Sequence, residues 1–513
     1  MGNDNREPVG SIGAHAGGNA SDPIAVNEAL GGAGDPFSYA GEDDNGGKRK
    51  VFGAALEINK DFEETTLTVI GAYRESEYEW AMDSTGLPPT ALADLTAGPA
   101  VFGPIAVGAP ETGFFYDNTD LVAEDSKQYT AEIRLASNND GPLEWVTGAF
   151  ATLEQIYRTE GIRFNALTDD SLEPNLADST MDFEGKAIAA FAQGTYQITD
   201  TLSLTAGARY SYEEKDIIAF NTIPQSPKLQ LILRAFDPAE GSDSWNNLSW
   251  KTALDWQATD DVMLYASVST GFKSGGFTGT ASIAETATTA FEPEEATNYE
   301  VGMKGDFFDS RLRLNVSAFF LDYKDLQITR FFQPLGRDFS LFITENAANA
   351  EVKGIEVEFT GILTDNIEVG GFYSYLDAEF KGFFGTPGQT GSGDFSGNKL
   401  RQAPEHSLGG HIQFFQELNE DKGSITANLS AKYQSQTFTN VDNNALDVIP
   451  SYTVVDAWLA WNSSDSKWMV QAWVKNLTDK AYRTHVFTQR GGRVAFATFA
   501  PPRTFGLTVQ YEY

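Results

Sequence analysis

The dominant period along this chain is two. Leu202, Leu204, Ala206, Ala208, Tyr210 and Tyr212 share one side, and Ser203, Thr205, Gly207, Arg209 and Ser211 share the other. The same division recurs in Leu264, Ala266, Val268, Thr270 and Phe272, and again in Leu312, Leu314, Val316, Ala318 and Phe320. Successive side chains of a strand point to opposite faces, so each stretch predicts a strand with one apolar and one polar face. No stretch of comparable length follows the helical period. The chain is all-β.

The connections sort the strands into pairs. Tight, polar turns are expected at Asn138–Pro142, Thr199–Thr201, Thr259–Asp261, Asp309–Ser310, Thr364–Asn366, Asn419–Gly423 and Ser463–Ser466, with a first one near Lys60–Glu64. Between them lie long stretches rich in Gly, Pro, Ser, Thr and acids: Ala81–Asp125, Ser274–Pro293, Gly382–Leu400 and Asn440–Val448. Short turns alternating with long loops is the pattern of an antiparallel transmembrane outer-membrane β-barrel. The mean hydropathy is −0.30 and no run of 18 apolar residues occurs, which excludes membrane helices and leaves membrane strands open. Tyr196, Trp256, Phe307, Trp461 and Trp468 sit near tight turns on the apolar side of their strands, where an interfacial girdle places aromatics. The chain closes on a further alternating strand, Phe505, Leu507, Val509, Tyr511 and Tyr513.

Charge and composition remove other classes. The 36 basic against 72 acidic residues give a net charge of −36, which repels phosphate backbones, so no nucleic-acid partner is expected. The absence of Cys excludes disulfides and thiolate chemistry. Of the four His, His406 and His411 lie an odd number apart on one predicted strand and so face opposite ways. No metal site is expected, no cofactor is implied, and no H-E-x-x-H or G-x-S-x-G motif suggests an enzyme.

Several stretches resemble the barrel of TonB-dependent outer-membrane receptors. They are LYASVSTGFKSGGF (Leu264–Phe277), FEPEEATNYEVGMKGDFFDSRLRLNVSAFFLDYKDLQ (Phe291–Gln327), NAANAEVKGIEVEF (Asn346–Phe359), VKNLTDKAYR (Val474–Arg483) and PPRTFGLTVQYEY (Pro501–Tyr513). The segment Lys127–Glu154 extends the likeness toward the N-terminus. The resemblance implies a signal peptide, a TonB-contacting box, a plug and a barrel of about twenty-two strands, against roughly seventeen expected here. The resemblance then implies an incomplete barrel without its plug. Residues 1–47, with their many acids, would be the remnant of an external loop, and 48–513 the C-terminal part of the barrel. Losing an odd number of strands leaves the first and last strands both running toward the tight turns.

The resemblance further implies an outer-membrane receptor for energy-coupled uptake of a scarce nutrient such as a ferric siderophore. Its partners would be membrane lipid, a small-molecule ligand such as a metal chelate, and the TonB energy-transducing complex. The residues alone leave open a passive pore or surface protein, and a soluble β-rich carbohydrate-active protein. Two external-loop features suit an anionic aromatic ligand: Phe114, Phe115 and Tyr116 in the loop before Lys127, and Arg490 and Arg493 flanking two glycines in the final loop.

Overall fold

A computed structural model of the chain describes residues 46–83, 116–138, 141–166, 175–222, 235–281, 283–332, 341–383, 393–419, 421–489 and 494–513. The strands are β1 (Gly46–Asp61), β2 (Thr65–Asp83), β3 (Tyr116–Ser137), β4 (Leu143–Ala166), β5 (Asn175–Thr199), β6 (Leu202–Thr222), β7 (Phe236–Thr259), β8 (Val262–Lys273), β9 (Glu294–Phe307), β10 (Leu312–Phe332) and β11 (Leu341–Thr364). They continue with β12 (Ile367–Phe383), β13 (His406–Glu417), β14 (Ser424–Gln434), β15 (Thr437–Phe438), β16 (Val448–Ile449), β17 (Tyr452–Asn462), β18 (Trp468–Lys475), β19 (Arg483–Gln489), β20 (Val494–Phe499) and β21 (Thr504–Tyr511). A single turn of helix, α1 (Ala284–Thr288), lies between β8 and β9.

Among the described residues, seventeen strands form one sheet. Each pairs antiparallel with the next in chain order, from β1·β2 through β14·β17 and β17·β18 to β18·β21. The short pairs β15·β16 and β19·β20 stand apart as two small ribbons. The expected tight turns join alternate strands, and β1 and β21 both run toward them. Among the described residues no pairing joins β1 to β21.

The distribution of side chains across this sheet is inverted relative to a soluble protein. On β6, Leu204, Tyr210 and Tyr212 are exposed, whereas Thr205 and Ser211 are only 9% and 5% exposed. The register carries the apolar face sideways: Tyr210 opposes Leu248, Leu204 opposes Leu254, and Leu202 opposes Trp256. Leu248 and Trp256 are 61% and 48% exposed. A wall that turns its large apolar side chains outward and shelters its hydroxyls is built for hydrocarbon outside and a polar interior. The outward apolar run Leu202–Tyr212 has about the 9–11 residues that a tilted strand needs to cross a bilayer.

The band has visible borders. Toward the long connections, Phe52, Tyr73 and Tyr129 form a row of rings, with centroids 6.3 and 5.0 Å apart. One step beyond lie charges: Lys50 paired with Glu77 at 2.6 Å, and Lys186 beside Glu184, Glu214 and Asp216. At the turn side, Tyr196, Trp256, Trp461 and Trp468 are exposed. This is the girdle arrangement.

Several inward aromatics lie flat against a glycine directly across the ladder. Tyr265 opposes Gly302, Phe319 opposes Gly354, and Trp473 opposes Gly506. A Cβ at Gly302, Gly354 or Gly506 would come within 2.3–2.4 Å of the facing ring. The glycine makes the slot that the ring fills, which keeps the inner wall closely packed.

One expectation needs correction. The stretch Ala81–Asp125 is not loop throughout: β2 runs to Asp83 and β3 starts at Tyr116, so Tyr116 belongs to a strand rather than to the connection. The strands here also run far past the membrane band, 24 residues for β4 and 25 for β5, against 8 each for β18 and β21. Continuous pairing with equally long neighbours keeps these polar extensions in ladder geometry.

Candidate functional site

The stretches that carry the family resemblance meet in space on the inner wall, at the end of the long connections. The first meeting point is the β8–β9 connection, residues 274–293. Gly276 and Phe291 pair across its base. Gln327 of β10 donates from Nε2 to the carbonyls of Ser274 and Glu292, at 2.9 and 3.0 Å. Asn346 of β11 donates to the carbonyls of Glu292 and Asp325, both at 2.8 Å, and accepts from the Glu292 amide. Bonds between residues 21 to 54 positions apart in sequence thus close one clamp.

From that clamp the connection folds back against β4–β7. Lys215 donates to the Gly275 carbonyl at 2.6 Å and lies 5.6 Å over the Trp245 ring. Trp245 Nε1 donates to the Glu292 carboxylate. Gly275 has no room for a side chain, because a Cβ would lie 2.3 Å from the indole. Further along, Asn221 donates to the Ala281 carbonyl, and Thr280 donates to Glu160. Glu160 in turn shares Arg158 with Glu124. Ala281 and Ala287 of the connection bury themselves against Ile217 and Ala219, with Met181, Phe236 and Phe277 around them. The connection is therefore fastened to the wall at its base and along its length.

The second meeting point joins the motifs at Val474–Arg483 and Pro501–Tyr513. Asn476, with φ 51°, takes a left-handed turn directly after β18. Its amide donates to Asp456, and its side chain donates to the carbonyls of Lys480 and Pro501 while accepting from the Lys480 amide. Asp479 accepts from the Arg503 amide, and Arg503 donates to the Leu477 carbonyl. Asn tolerates the left-handed backbone and caps it with its own amide, which accounts for Asn at this position.

Above β12–β17 the connections pack on one another. Asn398 donates to the Val441 carbonyl, and Lys399 and Asn443 exchange two hydrogen bonds. Ile449, Val486, Ala497 and Phe499 form a small core of their own. Lys399 reaches Asp377 at 2.8 Å and Glu379 at 3.3 Å. Burial alone would lower its ammonium, but those two carboxylates reverse the effect and hold it above its ordinary value. In the exposed turn after β17, hydrogen bonds from Ser463 and from the Lys467 amide hold the Asp465 carboxyl below the usual carboxylate range.

Of the ligand candidates, Phe114, Phe115, Arg490 and Arg493 lie outside the described residues, and Tyr116 is described only as the first residue of β3. His406 and His411 do point to opposite faces: His406 lies outward, with Tyr373 Oη 3.0 Å from its Nδ1, and His411 lies inward, 3.6 Å from Glu368. Among the described residues, no group of three metal-ligating side chains occurs. Sequence reasoning did not single out Lys215, Trp245, Gln327, Asn346 or Asn476. Polar residues beside bends in otherwise regular alternation were the only signal, and their partners lie too far away in the chain to be read.

A seventeen-stranded antiparallel wall with an outward apolar band, aromatic borders and a polar interior defines an outer-membrane β-barrel. The family described as TonB dependent receptor-like, beta-barrel, matches residues 3–477, and the chain belongs to it. Its members are outer-membrane proteins, and they are receptors and transporters rather than enzymes. The metal-pseudopaline receptor CntO of Pseudomonas aeruginosa is 29% identical over 259 residues, which cover 50% of this chain and 32% of that receptor. The ferric yersiniabactin uptake receptor FyuA of Yersinia pestis superposes with a TM-score of 0.72 at 17% identity, over 93% of this chain and 63% of that one. The siderophore receptor PiuA of Acinetobacter baumannii gives 0.70 at 18% identity, over 93% and 66%. The chain thus spans about a third of the curated receptor and just under two thirds of the solved ones.

Proposed function

We propose that this chain is the barrel portion of a receptor that imports a scarce metal chelate, such as a ferric siderophore, through the outer membrane with energy from the TonB complex. The observation that carries the reading is the inverted wall, with exposed Leu248 and Trp256 backed by buried Thr205 and Ser211. That wall needs lipid outside and water or protein inside. The relatives' names point to the substrate class, since they are receptors for metal-pseudopaline, for ferric yersiniabactin and for a siderophore. Residues 1–47 belong in this reading to an external connection, and 48–513 to the barrel. Phe114, Phe115 and Tyr116, with Arg490 and Arg493, supply rings and cations for an anionic aromatic chelate.

Deletion of the encoding gene in its own host, under iron limitation, tests this. Uptake of the cognate radiolabelled ferric chelate should fall to the level left by a protonophore. Unchanged uptake of ferric chelates, together with diffusive leakage of unrelated solutes that tracks expression, would favour a passive pore.

A further inference from the structure

Residues 278–281 of the β8–β9 connection touch strands from both sides of the mouth. The Thr278 hydroxyl accepts from the Thr344 amide of β11 at 3.1 Å. Gly279 packs on Met181 of β5, where a Cβ would lie 2.9 Å from the sulfur. The Thr280 hydroxyl donates to the Glu160 carboxylate of β4, and the Ala281 carbonyl accepts from Asn221 of β6 at 2.8 Å. Asn221 shares the parity of Arg209 and Ser211, so the contact is on the polar, inner side of β6. Along the ladder, β5 to β10 all stand between β4 and β11. At about 4.8 Å per strand, that stretch of wall runs on the order of 30 Å. Thr278 and Thr280 flank Gly279, so at most about 7 Å of chain separates them. The segment therefore crosses the mouth as a chord instead of following the wall. It lies over a notch, because β8 and β9 have 12 and 14 residues between the 24 of β7 and the 21 of β10.

We propose that residues 278–281 are a fixed brace that ties β4 and β5 to β11 across the mouth. Opening of the mouth during ligand passage is then confined to the arc that runs from β12 through β21 and β1 to β3. Segments that open in function have few buried contacts. This one is held by the buried side chains of Thr278 and Asn221, and Ala281 and Ala287 are buried with Ile217 and Ala219. The β2–β3 and β19–β20 connections, which carry the rings and cations proposed for the ligand, belong to the other arc by chain order. The part of the inference that concerns passage rests on the import reading above.

The 513 residues contain no Cys, so introduced thiols report on chosen contacts. Two pairs, each placed in the encoding gene in its own host, test the two ends of the chord: Met181→Cys with Gly279→Cys, and Thr278→Cys with Thr344→Cys. Dibromobimane, which fluoresces when it bridges two thiols, should bridge both pairs in isolated outer membranes. Iron-starved culture medium supplemented with iron should leave both yields unchanged. In whole cells, either bridged receptor should take up radioactive iron from that medium with no loss of rate against its unbridged form. Asn221→Cys with Ala281→Cys replaces the first pair if that variant does not reach the outer membrane. Bridging at one end alone overturns the chord, since the segment then follows the wall. A bridge that abolishes uptake overturns the fixed brace and makes the segment a moving lid. Iron uptake that survives deletion of the gene overturns the import reading instead, while the bridging yields still decide whether 278–281 spans the mouth.

Discussion

The wall from β2 to β7 and the wall from β13 to β21 cross the same membrane band but treat the space beyond it differently. On the first side the strands simply continue, and β4 and β5 remain paired for more than twenty residues. On the second side the strands are short, and the connections between them fold into separate ribbons with a core of Ile449, Val486, Ala497 and Phe499. Extended ladders hold themselves through neighbour pairing, so individual side chains there are replaceable. Folded connections depend on a few long-range side-chain bonds, so single residues such as Asn476 carry more.

The largest expected effect should erase the contrast. Ala208→Arg on the first side and Leu459→Arg on the second place a charge in the same apolar band, and each should cost roughly 2–4 kcal/mol. Denaturant unfolding in vesicles measures this, and a markedly cheaper substitution at either position would mean that the band is not continuous. Spin labels at Ala208 and Arg209 give the register: a lipid-soluble quencher should reach the first and an aqueous one the second.

The next effect should reveal the contrast. Asn476→Ala removes the donor to two carbonyls and the acceptor for the Lys480 amide, at a cost of about 1–3 kcal/mol. Lys186→Ala removes an exposed ion-pair group from the tall wall and should leave the unfolding midpoint essentially unchanged. Similar losses at the two sites would show that the tall wall is as dependent on side chains as the folded side.

Gly302→Ala, on β9 between the two regions, should cost about 1–3 kcal/mol through its clash with Tyr265. Adding Tyr265→Ala should recover part of the loss, and strict additivity in the double variant would refute the slot-and-ring packing.

The smallest effect is in pH. The Lys399 ammonium is held above its ordinary value of 10.5, so its contribution to docking the 393–405 connection is complete below that value and lost as pH rises through the raised one. Protease cleavage within that connection should be flat from pH 8 to about 10 and then climb, and Lys399→Met should abolish the climb. A climb that persists in Lys399→Met would assign the effect to another group.

Alternation in stretches such as Leu202–Tyr212, with turn residues at points such as Thr199–Thr201, determined by itself that this chain makes an antiparallel membrane wall, which face meets lipid, and where the tight turns fall. Those are local properties: a side chain's face follows from its parity, and a two-residue turn needs only its own residues. Tertiary structure alone decided that polar residues past the band, such as 77–83 of β2 and 116–125 of β3, lie in strands, because polar sequence pairs only when a neighbour extends beside it. It also decided that Ser274, Glu292, Gln327 and Asn346 form one clamp. Their hydrogen bonds close across 21 to 54 positions of chain, and no local pattern records which distant carbonyl an amide will find once the strands have brought it near.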